Sequence, residues 1–300
     1  GRLVASKLRR GDRVAIIAET NADFLIFFFG CQYAGLVPVP LPLSINFGGR
    51  AAYAARLRGM LMAAGARAAV ASDELIEALK VAAARTAVSL VGTPAEFYAL
   101  PAGDGILQPL QAHEACYIQY SSGSTSFPRG VLVTQRAITA NARSIAEDGI
   151  ALRSGDRCIS WLPLYHDMGL VGCCLTPVLT QITVDYLAST SFARRPLVWL
   201  KLSSQNRGTI SFGPTFGYEL CARRAATADV AGLDLSSWRV AGIGGEMIRP
   251  SALREFEARF GGAGFDAAAF VPSFGLAEAT LAVTFSRLGS GVRVDTVERG

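Results

Sequence analysis

The chain has 300 residues, of which 51% are hydrophobic and 18% are charged, and its formal net charge is +5. This is a globular composition with ample apolar surface to bury, and the length fits two α/β lobes or one lobed domain of the larger kind. The basic residues are scattered, with no run longer than two. Nucleic-acid binding is therefore not predicted, because proteins with that function concentrate positive charge in a patch or stripe.

The cysteine pattern and the hydropathy of the chain indicate its cellular compartment. The six cysteines lie mostly inside apolar runs and show no CxxC pair or metal-binding spacing. We therefore expect small core residues of a reduced, cytoplasmic protein. The most apolar stretch, residues 24–34, is about half the ~20 residues that cross a bilayer, so it predicts a buried helix and no transmembrane segment. The chain starts at Gly1 without a secretory pattern, and we expect it to be part of a longer protein.

Short apolar runs alternate with helical segments from residue 11 onwards. Residues 14–18 form a continuous apolar run typical of a buried parallel strand. Thr20 or Asn21 can cap the helix that follows. Val37–Leu41 contains two prolines, which cannot donate to a ladder, so an edge strand is expected. The other segments predicted as far as residue 147 are helices at 22–34, 49–64, 73–84 and 134–147, and strands at 68–71, 87–91, 115–120 and 131–133.

A second alternation begins after the polar turn at residues 152–156, where we place the boundary between lobes 1–155 and 156–300. Its predicted elements are strands at 157–162, 182–187, 208–212, 238–243 and 268–272, and helices at 167–180, 194–206, 215–226, 249–260 and from about 276. This pattern predicts an α/β fold of two stacked α/β lobes, with mostly parallel sheets flanked by helices and a cleft between the lobes.

The loop between the strands at 115–120 and 131–133 concentrates phosphate-compatible groups. We call residues 121–129 the phosphate loop; its hydroxyls donate to phosphate oxygens, its glycine allows close backbone approach, and its arginine is always charged. These groups are Ser121, Ser122, Gly123, Ser124, Thr125 and Arg129. The spacing excludes a P-loop, because Pro128 follows and no Gly-Lys-Ser/Thr does. A plain solvated loop is the alternative.

Three further strand-end loops carry unusual residues, and each also has an ordinary explanation. In residues 162–170, His166 follows a strand, where α/β proteins place ligands, but it could be structural, and Asp167 could cap the next helix. Paired glycines and an acid at 242–247 make either a tight turn or a surface for a flat ring. In 271–280, Phe274 could be core and Glu278 a first-turn acid, although one carboxylate suits Mg²⁺ held mainly by phosphates.

In this order and spacing, the four loops resemble the core motifs of the adenylate-forming superfamily, which includes acyl-CoA synthetases, luciferases and peptide-synthetase adenylation domains. The phosphate loop is similar to the family form [Ser/Thr]-Ser-Gly-[Ser/Thr]-Thr-Gly-x-Pro-Lys-Gly, with Ser126 in place of the second glycine and Arg129 in place of the lysine. Phe274 stands where the family usually has Tyr. Ala277 stands where many acyl-CoA synthetases have a phosphate-contacting Thr.

The resemblance implies ATP and Mg²⁺ as cofactors and a role for each loop. By this resemblance, the residues expected to hold the β- and γ-phosphates are Ser121, Ser122, Gly123, Ser124, Thr125 and Arg129. The residues expected to flank adenine are Gly244, Gly245 and Glu246, opposite Phe274, and Gly275 is also expected to bind the nucleotide. Thr125, His166 and Glu278 are the implied catalytic residues. By the resemblance, His166 is expected to orient the substrate carboxylate or to gate its approach, and Glu278 to hold the metal.

Within the superfamily, the chain looks most like the fatty acyl-AMP ligases. The resemblance is carried by the block from Pro163 to Leu170 and by residues 213–224 and 274–281. It implies a fatty-acid substrate, an acyl-adenylate product, and transfer of the acyl group to the phosphopantetheine thiol of an acyl carrier protein. Besides His166, the candidate acyl-binding residues are Phe212, Phe216 and Leu276, for which core packing is the alternative.

The family's small C-terminal lid carries a lysine that contacts the reacting carboxylate, and we expect it beyond residue 300. We therefore expect residues 1–300 to bind ATP or acyl-adenylate but to form adenylate poorly. Three alternatives stay open. They are an acyl-CoA synthetase, an amino-acid adenylation domain in which Asp167 pairs with a substrate ammonium, and a nucleotide- or acyl-binding relative with weak catalysis.

Overall fold

The computed structural model describes residues 2–43, 49–103, 106–121, 129–226, 230–295 and 297. The chain divides into two compact units, Gly1–Thr139 with Leu164–His166, and Ala140–Pro163 with Asp167–Gly300. This division differs from lobes 1–155 and 156–300 in two places. The chain first leaves the first unit inside a helix, well before the polar turn at 152–156, and it returns to that unit for three residues.

The first unit contains a four-stranded parallel sheet with the strand order β2-β1-β3-β4. Its strands are β1 Arg13–Ile17, β2 Val37–Leu41, β3 Ala66–Val70 and β4 Leu90–Gly92. Its helices are α1 Arg2–Ala5, α2 Ala22–Tyr33, α3 Gly49–Ala64, α4 Ile76–Ala83 and α5 Pro94–Tyr98. An antiparallel pair follows, formed by β5 Ala115–Ser121 and β6 Arg129–Thr134.

Local chemistry explains how this unit begins. Asn21 caps α2, because its side-chain oxygen accepts the Phe24 N–H at 2.9 Å. Strand β2, with Pro38 and Pro40, lies at the edge of the sheet, as predicted from the missing proline donors. Helix α6, Gln135–Ser144, follows β6 and continues as a π-helical turn, Ile145–Gly149. This continuous helical segment carries the chain into the second unit.

The second unit contains a six-stranded sheet in the order β12-β11-β10-β9-β7-β8. All its pairs are parallel except β11–β12. Its strands are β7 Arg157–Ser160, β8 Thr183–Tyr186, β9 Ile210–Gly213, β10 Val240–Ile243, β11 Phe270–Gly275 and β12 Ala282–Phe285. Its α-helices are α7 Thr176–Thr180, α8 Ser189–Arg194, α9 Leu197–Gln205, α10 Thr215–Ala225 and α11 Pro250–Phe260, with a π-helical segment at Met168–Leu175.

The predicted helix from about residue 276 is wrong. The structure has a single 3₁₀ turn, Ala277–Ala279, followed by strand β12. Thr280 ends the turn at φ 74°, a conformation that a β-branched residue rarely adopts and that cannot continue a right-handed helix. The chain then folds back, and the Leu276 N–H donates to the Leu281 carbonyl at 2.8 Å. The α/β class with mostly parallel sheets is as predicted.

An aromatic core holds the second unit together. Trp199, Tyr218, Trp238 and Phe256 are fully or almost fully buried and contact one another, mostly edge to face. The Tyr218 hydroxyl donates to the Gly242 carbonyl at 3.0 Å, which ties α10 to β10. Packing and hydrogen bonding therefore fix the strands whose carboxyl ends carry the candidate site.

The cysteine side chains lie where the apolar runs around them predict. All six cysteines are buried and free, as expected for small core residues. Within the described residues, every helix is too short or too polar to span a bilayer.

Candidate active site

The phosphate loop connects the two strands of the antiparallel pair in the first unit. Ser121 and Arg129, the loop's two ends, face each other across β5 and β6. The Tyr120 hydroxyl, immediately before the loop, donates to the Met60 carbonyl at 2.5 Å and anchors β5 to α3. The loop therefore starts and ends on ordered strands, and Arg129 is exposed. The other predicted phosphate-binding residues lie outside the described residues: Ser122, Gly123, Ser124 and Thr125.

His166 belongs to the first unit together with the phosphate loop, although the strand that precedes it, β7, belongs to the second. The contact that marks this position is a hydrogen bond from Gln119 Nε2 on β5 to the Tyr165 carbonyl at 2.6 Å. Asp167 begins the return to the second unit, and its Oδ1 accepts the Met168 N–H at 2.7 Å. The predicted N-cap role of Asp167 is confirmed, for a π-helical segment.

In the second unit, the structure brings together two loops that sequence analysis assigned to different ligands. Glu246 Oε1, after β10, accepts the N–H of Phe216 at 2.7 Å, near the start of α10. The N–H of Gly244 also points to the Gly213 carbonyl, at 3.4 Å. The candidate adenine residue Glu246 is therefore hydrogen-bonded to the candidate acyl residue Phe216. Because the Glu246 carboxylate accepts a backbone N–H, it holds the loop after β10 against the start of α10.

The carboxyl end of β11 lies beside this arrangement. Ser273 Oγ donates to the Ile243 carbonyl at 3.0 Å, joining β11 to β10 just before their loops. Phe274 is 62% exposed, so the alternative that it is an ordinary core residue is wrong. Leu276 is also exposed, at 37%. Glu278 sits on the exposed side of the 3₁₀ turn.

Two candidate acyl residues, Phe212 and Phe216, have different surroundings. Phe212 is partly buried in β9, with its ring beside Gly242 and edge to face with Phe285. Phe216 is 43% exposed and contacts Trp161 edge to face at 5.7 Å. Of these two candidate acyl residues, Phe216 therefore presents more surface to a ligand.

Mg²⁺ takes oxygen ligands, and in a nucleotide site several of them come from phosphates and water. In the part of the chain that the structure describes, no group of three or more His, Cys, Asp or Glu side chains could hold a metal ion. A lone exposed carboxylate such as Glu278 fits an ion whose other ligands are phosphate oxygens and water. It does not fit a metal held by protein ligands alone.

Gly275 provides a stability test of the β11 end. A β-carbon at this position would lie 2.1 Å from the Leu281 carbonyl oxygen, which is backbone and cannot rotate away. We expect Gly275→Ala to lower the free energy of unfolding by about 1–3 kcal/mol, because the β11–β12 pairing must shift. Gly262→Ala is the matched control, since its β-carbon meets nothing within 4 Å. Denaturant unfolding that shows equal effects for the two variants would contradict the crowding at Gly275.

Sequence analysis missed two features near these loops. Gln119 lies in the predicted strand at 115–120, and a polar residue inside such an apolar run is a signal that a buried partner exists. The positive φ of Thr280 could not be predicted from the sequence, because β-branched residues rarely adopt positive φ. This backbone conformation results from the turn of the chain back into β12.

The mostly parallel sheets flanked by helices define an α/β protein, and the glycines, the acid and the exposed aromatic ring lie at neighbouring strand ends, where α/β proteins commonly bind ligands. Residues 1–299 match the family model for AMP-binding enzymes, and the chain belongs to this family. The resemblance to the adenylate-forming superfamily is confirmed, and the relatives include fatty acyl-AMP ligases.

Three similar proteins illustrate the relationship. A structure solved in a study of fatty acyl-adenylate ligases from E. coli and L. pneumophila has 52% identity and a TM-score of 0.94, covering 97% of this chain and 53% of that one. A Caulobacter vibrioides protein whose name includes acyl-CoA synthetase is 45% identical over 99% of this chain and 52% of its own length. A medium-chain-fatty-acid–acyl-carrier-protein ligase of Teredinibacter turnerae is 42% identical over 56% of this chain and 26% of its own length. The chain spans about half the length of the first two.

Proposed function

We propose that the full-length protein is a fatty acyl-AMP ligase that activates a fatty acid with ATP and passes the acyl group to the thiol of an acyl carrier protein. The observation that carries this proposal is the similarity, at 52% identity, to a structure from a study of fatty acyl-adenylate ligases. The carrier-protein acceptor is supported by the name of the Teredinibacter relative.

The proposed chemistry has two steps. A carboxylate oxygen of the fatty acid attacks the α-phosphorus of ATP, and the bond from that phosphorus to the bridging oxygen breaks, which releases pyrophosphate and leaves an acyl-adenylate. The thiolate of phosphopantetheine then attacks the acyl carbon, and AMP leaves. The protein needs little covalent chemistry for this; it must align the reactants and stabilise charge on the phosphates.

In the first unit, the phosphate loop binds the phosphates and His166 orients the carboxylate. Arg129 brings a permanent charge to the start of β6, and Ser121 a hydroxyl to the facing end of β5. The guanidinium of an arginine can donate to two phosphate oxygens at once, whereas the ammonium of a lysine is a point charge. Arginine at position 129 therefore keeps phosphate binding but changes its geometry.

In the second unit, the nucleotide base lies against Gly244, Gly245 and Phe274. Glu246 acts through its hydrogen bond to the Phe216 N–H, and so keeps the base-binding loop and an acyl-binding residue in one arrangement. Glu278 would hold Mg²⁺, which supplies charge neutralisation on the phosphates when bound.

The acyl chain is assigned to Phe216 and Leu276, whose side chains are both partly exposed. Phe212 contributes indirectly, since its ring fills the space that a side chain at position 242 would occupy. The burial of apolar chain surface against these residues would contribute about 25 cal/mol per Å².

Mass spectrometry of products tests this function. The full-length protein is incubated with ATP, a mixture of fatty acids, and either holo acyl carrier protein or CoA. We expect acyl-adenylate in both reactions and an acylated product with the carrier protein. Acyl-CoA in place of acylated carrier protein would support a synthetase of the kind named for the Caulobacter relative. Absence of acyl-adenylate would contradict the proposal.

A further inference from the structure

Gln119 is a buried polar residue inside an apolar strand. Its side chain belongs to β5, two residues before Ser121, and it is 1% exposed. A buried side-chain amide is costly unless its donors are paired, so its hydrogen bonds show what it stabilises. Nε2 donates to the Tyr165 carbonyl at 2.6 Å, and its second contact is the Tyr120 carbonyl at 3.4 Å.

The orientation of this amide follows from its partners. If Oε1 and Nε2 were exchanged, an oxygen would face the Tyr165 carbonyl oxygen at 2.6 Å, which is repulsive. Oε1 has no hydrogen-bond partner among the described residues. Among the described residues, the Gln119 side chain therefore only donates hydrogen bonds. Its short bond goes to Tyr165, the residue directly before His166.

The hydrogen bond from Gln119 to Tyr165 matters because of where Tyr165 lies along the chain. Leu164–His166 are the three residues by which the chain returns to the first unit, between β7 and the π-helical segment of the second. The hydrogen bond from Gln119 to the Tyr165 carbonyl ties Leu164–His166 to β5, the strand that leads into the phosphate loop. The position of His166 within the first unit is thus linked to the strand that carries Ser121.

We propose that Gln119 is a positioning residue for His166, holding the Tyr165 carbonyl so that His166 keeps a fixed place relative to the start of the phosphate loop. This inference rests on the proposed function, in which His166 orients the carboxylate and the loop holds ATP. Alignment of two bound reactants is sensitive to displacements of about 1 Å, so loss of this bond lowers turnover more than it lowers nucleotide affinity.

A double-mutant cycle in the full-length protein tests the proposal. Gln119→Met keeps the length and apolar packing of the side chain and removes its donor. We expect kcat for acyl-adenylate formation to fall about tenfold, with the ATP dissociation constant within about twofold of wild type. In a His166→Ala background, the same substitution should change kcat by less than about twofold, because residues that act as a unit are not additive.

Gln32→Met is the matched control. Gln32 also donates its side-chain amide to β5, but to the Cys116 sulfur at 3.0 Å and the Cys116 carbonyl at 3.4 Å, three residues before Gln119 on that strand. Its kcat should stay at the wild-type value. If Gln119→Met does not fold, as judged by circular dichroism, Gln119→Asn replaces it in the cycle, since the shorter amide cannot reach Tyr165.

The outcomes separate the two proposals. A tenfold loss that is equal in both backgrounds, or an unchanged kcat in Gln119→Met, would overturn the positioning role and leave the proposed function intact. A wild-type protein that forms no acyl-adenylate in the same assay would overturn both. The proposal is supported if Gln119→Met lowers kcat when His166 is present and changes it little in the His166→Ala background.

Discussion

Replacing Asp156 with Ala should lower the free energy of unfolding of the second unit by about 3–5 kcal/mol, the usual cost of leaving a buried charge without its partner. The Asp156 side chain is 3% exposed and that of its partner Arg239 is 19% exposed. Oδ1 accepts from Arg239 Nε at 2.9 Å and from the Thr209 hydroxyl at 2.8 Å, and Oδ2 accepts from Arg239 Nη2. Arg239 also donates to the Ile150 carbonyl at 2.9 Å.

An exposed ion pair in the same unit provides the control. Arg143 and Glu147 are 71% and 69% exposed and lie 3.8 Å apart. Glu147→Ala should cost less than about 1 kcal/mol, because solvent screens exposed pairs. Denaturant unfolding of both variants measures the difference. Similar small losses for the two would mean that the Asp156 pair does not stabilise the unit.

The same pair predicts how stability depends on pH. Burial raises the pKa of the Asp156 carboxyl, but hydrogen bonds from Arg239, the Arg153 N–H and Thr209 outweigh it, and the net shift is downwards. A carboxyl with a lowered pKa contributes fully above its unfolded value of about 3.9 and loses that contribution as the pH falls through the folded value. The difference in stability between wild type and Asp156→Ala should therefore be constant at neutral pH and shrink below about pH 4.

Glu278→Gln should reduce kcat for acyl-adenylate formation about 100-fold in the full-length protein, if this carboxylate holds Mg²⁺. The substitution keeps the size of the side chain and removes its charge. Because the other ligands of the ion would be phosphate and water, the variant should also need a higher Mg²⁺ concentration for half-maximal rate. Pyrophosphate release across a Mg²⁺ titration measures both effects.

Glu255→Gln is the matched control for this variant. Glu255 is exposed on α11 of the same unit and has no assigned role in the site. Its kcat and Mg²⁺ dependence should equal those of wild type. A Glu278→Gln variant that works within about twofold of wild type would remove Glu278 from the metal site.

Sequence analysis predicted the fold where local chemistry decides it. Continuous apolar runs located the parallel strands, and the prolines of Val37–Leu41 predicted an edge strand. Asn21 and Asp167 were predicted as caps from side chains that accept nearby N–H groups, and the structure has both bonds. These features depend on residues within a few positions of one another.

Features that depend on distant residues could not be predicted. The ion pair of Asp156 joins residues 83 positions apart, and sequence analysis treated that aspartate as part of a polar turn. The Gln119 bond spans 46 positions. The fold-back after Glu278 replaced a predicted helix, because pairing with β11 outweighs the helical pattern there. The roles assigned to His166, Arg129 and the phosphate loop remain predictions.

ATP–pyrophosphate exchange in the full-length protein tests the central claim most directly. The assay follows incorporation of labelled pyrophosphate into ATP, which requires reversible formation of an adenylate. We predict exchange that depends on an added fatty acid and on Mg²⁺, with no stimulation by amino acids. Exchange stimulated by amino acids but not by fatty acids, or no exchange with any acid, would contradict the account.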